Sequence, residues 1–193
     1  MNLIDENGIA KLTFKNFIFC EVYGNQKRNV FEKFFFRYIS PGTAVLFLIR
    51  RMLCSKSILR KKYYQWRLFR KYGVHVSRHA KIDIGFRLAH PIAICIGECQ
   101  IGKNVTIHQG VTIGSKYPSK DPRTRETENN FPVIGSYCRI WANATVIGAV
   151  TLEWYTQVAA GAVLLTDTES CSIYAGVPAK KVKNIDRHVT GVW

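Results

Sequence analysis

The chain has 193 residues, with 28 Lys/Arg against 13 Asp/Glu and a net charge of +15. That length suits one domain with a real core, or a solenoid carrying an appendage. Six cysteines without a C-x-x-C pair support neither a zinc site nor a redox motif, and the absence of G-x-x-x-x-G-K-[ST], G-x-G-x-x-G and G-x-S-x-G removes the commonest nucleotide-binding and hydrolase devices.

Residues 1–40 mix apolar and basic residues around Phe34, Phe35 and Phe36, a pattern that predicts one or two short helices. Asp5 and Glu6 stand where a signal peptide would carry a basic start and an apolar stretch, so the expectation is a cytoplasmic protein with reduced thiols. Ser40-Pro41-Gly42 reads as a break. Residues 43–72 then read as helical, with Val45, Leu46, Leu48, Ile49, Met52 and Leu53, and further on Ile58, Leu59, Tyr63, Trp66 and Phe69, at mostly helical spacing. The unbroken apolar run from Ala44 to Ile49 is far shorter than the ~20 residues a bilayer span needs.

Charge is concentrated in the same region. Residues 1–72 hold fifteen Lys/Arg and four Asp/Glu, so +11 of the +15 lies there, and residues 50–72 hold nine basic residues and no acid. Such a segment suits an anionic partner. Two compatible roles follow for 43–72: a cap over the open end of a solenoid, and a peripheral contact with a membrane surface. The segment lacks a recognisable nucleic-acid module, so no nucleic-acid partner is expected. Residues 1–72 thus form a basic, largely helical N-terminal segment.

Gly73 closes that segment and a six-residue rhythm begins. Aliphatic residues recur at Val76, Ile82, Leu88 and Ile94, then after one extra residue at Ile101, Ile107 and Ile113, and after a polar interruption at Ile134, Ile140, Val146, Leu152, Val158 and Leu164. Two residues before each lies a second small or apolar residue, among them Ile92 before Ile94, Cys99 before Ile101, and Cys138 before Ile140. No helix keeps a period of six, whereas a parallel β-helix does, each hexapeptide giving a short strand and a turn. Three hexapeptides make a coil, and coils stack ~4.8 Å apart. The fold class is therefore mainly β, a parallel β-helix over 73–183 with an N-terminal helical segment. Inward Cys99 and Cys138 act as small hydrophobes.

Residues 114–132 form the one large interruption, polar and rich in Pro, Thr and charge, and a loop of that length in a regular array points to function. The rhythm ends near Thr166, Ala175-Gly176-Val177-Pro178-Ala179-Lys180-Lys181 follows as a turn, and 184–193 is a short tail.

Histidines are the main candidates for chemistry, since the repeat contains few acids. Leu88 and Ile107 are three hexapeptides apart, so stacking in register sets Ala89 against His108 and His90 against Gln109. Two imidazoles and an amide then cluster at one edge, beside the point where the long loop emerges. A neutral imidazole near pH 7 is the usual general base for a hydroxyl.

The stretch Ala89-His90-Pro91-Ile92-Ala93-Ile94-Cys95-Ile96-Gly97-Glu98, running on to Ile107-His108-Gln109-Gly110-Val111-Thr112-Ile113-Gly114, resembles the serine acetyltransferase branch of the hexapeptide acyltransferases. Val158-Ala159-Ala160-Gly161-Ala162-Val163-Leu164 and Ala175-Gly176-Val177-Pro178-Ala179-Lys180 are similar to the same family, so the resemblance covers roughly 73–183. It implies a left-handed coil, a trimer with active sites between subunits and acetyl-CoA as donor, and with no zinc-type cysteine pair no metal is expected. It implies His90 as the base that deprotonates an acceptor hydroxyl, with backbone N–H groups of the turns at the oxyanion. Trp141, Ala142, Ala160 and Gly161 would line the pantetheine arm. Gly176, Pro178, Ala179, Lys180 and Lys181 would lie near the adenine and 3′-phosphate.

This sequence also departs from the family pattern. The position of an Asp that orients the catalytic His is His75, a further Asp just before that His is Ala89, and the Arg-His-Pro that ends the long loop reads Asn130-Phe131-Pro132. The donor side is kept and the serine-recognition side is missing. His75 or a backbone carbonyl is left to orient His90. Gln109, Phe131, Arg123 and Arg125 are the candidate acceptor-binding residues, Phe131 by stacking on a sugar face. The expected function is an acetyl-CoA-dependent O-acetyltransferase acting on a sugar hydroxyl of a bacterial surface polysaccharide precursor. The alternatives are a serine O-acetyltransferase of cysteine biosynthesis and a non-enzymatic β-helix binding module.

Overall fold

The computed structural model describes residues 41–115 and 131–185. The short helices expected within 1–40, the aromatic cluster Phe34–Phe36, most of the long loop and the final residues lie outside them.

Two helices come first. Helix α1 (Pro41–Leu53) opens on Pro41, which tolerates the first helical position because its missing N–H has no helical partner there. The expected break at Ser40-Pro41-Gly42 is therefore a helix start. Helix α2 (Ile58–Tyr72) follows a turn at 54–57 and ends at Gly73, left-handed at φ 61°, whose N–H returns to Phe69 O. So 43–72 is two helices. α1 buries Val45, Leu46, Leu48, Ile49 and Met52 in the core, whereas α2 buries only Leu68.

Fifteen strands, numbered in chain order, follow among the described residues, and all but the last run parallel to their neighbours in three sheets. The first face stacks β1 (His75–Val76), β4 (Cys95–Ile96), β7 (Thr112–Gly114), β10 (Thr145–Ile147) and β13 (Val163–Leu164). The second stacks β2 (Lys81–Ile82), β5 (Gln100–Ile101), β8 (Val133–Ile134) and β11 (Thr151–Leu152). The third stacks β3 (Arg87–Leu88), β6 (Thr106–Ile107), β9 (Arg139–Ile140), β12 (Gln157–Val158) and β14 (Ser172–Ala175). β15 (Lys180–Asn184) lies antiparallel on β14, so strands flank the turn expected over 175–181.

Each two-residue strand points one side chain out and one in. The inward ladders are aliphatic: Val76, Ile96, Ile113, Val146 and Leu164 on the first face, Ile82, Ile101, Ile134 and Leu152 on the second, and Leu88, Ile107, Ile140, Val158 and Tyr174 on the third. Burial pushes the Cys99 and Cys138 thiols up to about 12, with the charges of Glu98 and Glu153 adding to it. Both are inert core fillers.

The expected phase fails at one place. Ile96, not Ile94, is the strand anchor in register with Val76 and Ile113, and Ile92 is 66% exposed. Gly110 N bonds Ile92 O just as Asn143 N bonds Gln109 O one coil on, so Ile92 holds the register of Gln109. Ala89 holds that of His108, because Ala89 N bonds Ile107 O as His108 N bonds Ile140 O. His90 and Pro91 are therefore a two-residue insertion at the corner between the third and first faces. The next corner, at Gly97-Glu98, is one residue short, and the two irregularities sum to the single extra residue visible in the spacing.

Candidate active site

The corner between the third and first faces is a column of single left-handed turn residues: Ala93 (φ 54°), Gly110 (φ 68°), Asn143 (φ 58°) and Gly161 (φ 68°). A Cβ on Gly110 would overlap the Asn143 side-chain amide, whereas one on Gly161 would meet nothing within 4 Å. The column is closed in its lower coils and open at Gly161.

His90 sits on the insertion and is exposed. The backbone doubles back beside it, with Ile92 N donating to His90 O at 2.8 Å. His108 lies one coil on, its ring centroid 6.4 Å from that of His90. With ring nitrogens ~1.2 Å from each centroid, two nitrogens approach no closer than about 4 Å, beyond hydrogen-bond reach. A small hydroxyl, not a direct bond, suits that gap. On its other side His108 stacks on Trp141 at 4.5 Å and 22°. Trp141 donates its Nε1–H to Gln157 Oε1 at 3.2 Å, and the Arg139 guanidinium lies 5.5 Å from the Trp141 ring centre. Partial burial, then the charges of His90 and Arg139, hold the His108 imidazole below its ordinary range. The neutral form is favoured.

The insertion changes the expected stacking: Ala89 lies against His108, but Ile92, not His90, lies in register with Gln109. Gln109 nonetheless belongs to this corner, and its Oε1 is buried without a hydrogen-bond partner among the described residues. Such an orphan acceptor suits an N–H or O–H from a bound molecule.

His75 is placed differently. Gln65 Nε2 donates to Val76 O at 2.9 Å and also faces His75 Nε2 at 3.3 Å. An amide N–H there makes Nε2 the acceptor and leaves the ring proton on Nδ1, which lies 3.9 Å from Cys95 Sγ. Both ring nitrogens thus face Gln65 and Cys95, and among the described residues no contact joins His75 to His90. The long loop leaves after β7, at the next corner rather than beside His90, because a full strand separates the two corners. Phe131 is half-buried where the loop rejoins the coil, while Arg123 and Arg125 lie outside the described residues.

The residues expected on the donor side occupy the upper coils. Ala142 follows Trp141, and its O accepts from Gly161 N at 2.9 Å. Ala160, Gly161, Gly176 and Pro178 are exposed. Ala179 is buried and its N–H donates to Val163 O. Lys181 Nζ is paired with Glu169 Oε2 at 2.5 Å, which leaves Lys180 as the freer cation of the two. Sequence reasoning missed Arg139, Pro91 and Gln65. Arg139 was findable, since it alternates outward with Trp141 across inward Ile140.

No protein-family model matches the chain. Curated relatives do: it is 35% identical over 111 residues to the serine acetyltransferase of Bacillus licheniformis, which covers 57% of this chain and 48% of that protein. It is 34% identical over 136 residues to that of Staphylococcus xylosus, covering 67% of this chain and 60% of the relative. Among solved structures, a serine acetyltransferase from Vibrio cholerae superposes with a TM-score of 0.71 at 19% identity, over 90% of this chain and 67% of that one. A serine acetyltransferase complex with CoA superposes at 0.58 and 22% identity, over 71% of this chain and 56% of that one. The fold is theirs. It is a left-handed hexapeptide-repeat β-helix, as the resemblance implied. The chain spans about half the length of the curated relatives it matches.

Proposed function

We propose that the protein is an O-acetyltransferase that moves acetyl from acetyl-CoA to a hydroxyl, with His90 as general base. The observation that carries this reading is the His90–Pro91 insertion, which lifts one imidazole out of the regular ladder onto a corner that is open at Gly161. His90 takes the hydroxyl proton as that oxygen attacks the thioester carbonyl carbon. Collapse of the tetrahedral intermediate breaks the C–S bond, and the proton passes from His90 to the CoA sulfur. Neutral His108, 6.4 Å away, is suited to hold the acceptor hydroxyl in the gap. Trp141, Ala142, Ala160 and Gly161 would flank the pantetheine arm, and Gly176, Pro178 and Lys180 the nucleotide end. Glu169 competes for Lys181 there.

The curated relatives are serine acetyltransferases, which favours L-serine as acceptor over the glycan expected from the sequence. A glycan hydroxyl stays as the second reading on one observation: Ala89 and Asn130-Phe131 bring no charge to pair with an amino acid, while Phe131 offers an aromatic face. A thiol-release assay with acetyl-CoA, run with L-serine and with a panel of nucleotide sugars and oligosaccharides, separates them. Release with serine supports the first reading and release with sugars alone the second. Folded protein that releases no CoA with any hydroxyl acceptor refutes both. The same proposal includes a homotrimer, because the prism has flat faces that cyclic symmetry can close. A monomer mass in sedimentation at micromolar concentration would exclude it.

A further inference from the structure

Helix α2 uses one side to hold the coil. Leu68 is fully buried, Tyr64 and Tyr72 pack against the core, and Gln65 bonds Val76 O and His75. The opposite side is aromatic and, among the described residues, exposed. Leu59 is 74% exposed, Tyr63 50%, Trp66 56% and Phe69 61%, and these positions follow one another on a single arc of the helix. Tyr63 and Trp66 lie 6.2 Å apart, with the Arg70 guanidinium 5.7 Å from the Trp66 ring centre. Arg60, Lys62, Arg67 and Lys71 surround the arc, and no acid lies anywhere in 50–72. α1 offers no such face, because its apolar residues are spent on the core.

We propose that the outer face of α2 docks on an anionic bilayer surface, lying in the plane of the interface. Charge decides the occupant. Two copies apposed through this helix would bring basic residues together with no acid on it to answer them, whereas anionic headgroups complement them. Aromatic side chains favour the headgroup level, and Lys and Arg stems reach past them to the phosphates. Among the described residues no helix is long and apolar enough to cross a membrane, so the contact is peripheral. The segment first assigned to this role, 43–72, divides: α1 and the inner side of α2 cap the coil, and the outer side of α2 meets lipid. This inference does not depend on the acyltransferase reading.

The test is flotation of the full chain with vesicles of phosphatidylcholine containing about one third phosphatidylglycerol, against pure phosphatidylcholine, at low and high salt. The expected result is binding to the anionic vesicles only, weakened by salt. Trp66→Ser with Phe69→Ser should reduce that binding at least about tenfold. Arg60→Gln, Arg67→Gln and Lys71→Gln together should remove most of its salt dependence. Leu59→Glu, at the most exposed position, gives an independent reading should the double variant unfold. The proposal is overturned if anionic vesicles bind nothing at low salt. Binding that all three variants leave intact overturns it too, as does concentration-dependent self-association, lost in the same variants, without vesicle binding.

Discussion

Two corners of the same coil solve the same backbone problem, and only one carries the residues proposed for catalysis. Between the second and third faces the left-handed column is Gly85, Asn104, Tyr137 and Tyr155, with Cys171 above, and every coil turns there in register. Tyr137 and Tyr155 stack at 4.7 Å and 5°, a ladder that stabilises and does nothing else evident. Between the third and first faces the column is built alike, but the lowest coil carries the extra His90-Pro91 and the aromatic stack runs through His108 to Trp141. A repeat fixes the position of every side chain it contains. An insertion at a turn frees a group from that lattice, since turn backbone tolerates added residues.

The sharpest way to test that contrast is to remove the added group. His90→Ala should lower turnover ~10²–10⁴-fold with little change in melting, because the residue is exposed on a turn. Deleting His90 and Pro91 together restores the six-residue spacing and should cost the same activity while the protein still folds. Near-full activity in His90→Ala, with its loss in His108→Ala, would move the base one coil up.

A second comparison lies within the site column. Gly110→Ala and Gly161→Ala both place a side chain in left-handed backbone, costing ~1–2 kcal/mol. Only Gly110→Ala also displaces the exposed side-chain amide of Asn143, which adds a smaller cost. Denaturant midpoints should therefore drop further for Gly110→Ala. Equal drops would mean that the corner is as open at Gly110 as at Gly161.

The two aromatic ladders give a smaller effect. Trp141→Ala and Tyr155→Ala each remove a stack worth about 0.5–1.5 kcal/mol beyond area burial, so both should lower Tm by similar amounts. Only Trp141→Ala should also lower kcat/KM. A comparable loss of turnover in Tyr155→Ala would erase the functional difference between the corners.

Smallest is a shift in titration. His108 should titrate below the ordinary imidazole range in a ring-resonance pH series, and Arg139→Gln should move it upward, His90→Gln further. The fold disfavours the charged form, so the unfolded chain binds more protons as pH falls through ~6.5, and stability should decline there and level off below the folded value. A His108 midpoint unmoved in both variants would show that neither neighbour's charge reaches it.

The period of six was readable because inward aliphatics cannot move without exposing themselves, and thirty-eight residues from Val76 to Ile113 already fix it. The insertion was not readable. Two extra residues at His90-Pro91 and one missing at Gly97-Glu98 leave a net of one, and Ile92, Ile94 and Ile96 offer three equivalent anchors to choose from. Register is decided by which carbonyl each N–H meets, and the apolar pattern is silent on that. The helix division at 54–57 was hidden for a similar reason, because basic residues on both sides mask the change of face. His75 looked like a partner of His90 because it occupies the position of the family's orienting acid. Its actual neighbour, Gln65, comes from a helix whose docking the sequence does not encode locally.

The buried Arg50 sends Nη1 to Ile82 O and Nη2 to Asp83 O, both at 2.5 Å, at the free edge of β2. At the far end, antiparallel β15 closes β14. A stack of identical rungs has no intrinsic length, and a bare last rung would recruit the first rung of another molecule. A guanidinium at one end and a reversed strand at the other act as terminators of a polymerisation that the coil's own geometry invites. Arg50 shares the first end with Gln65, which bonds Val76 O, so the two helices and the reversed strand together stop the stack.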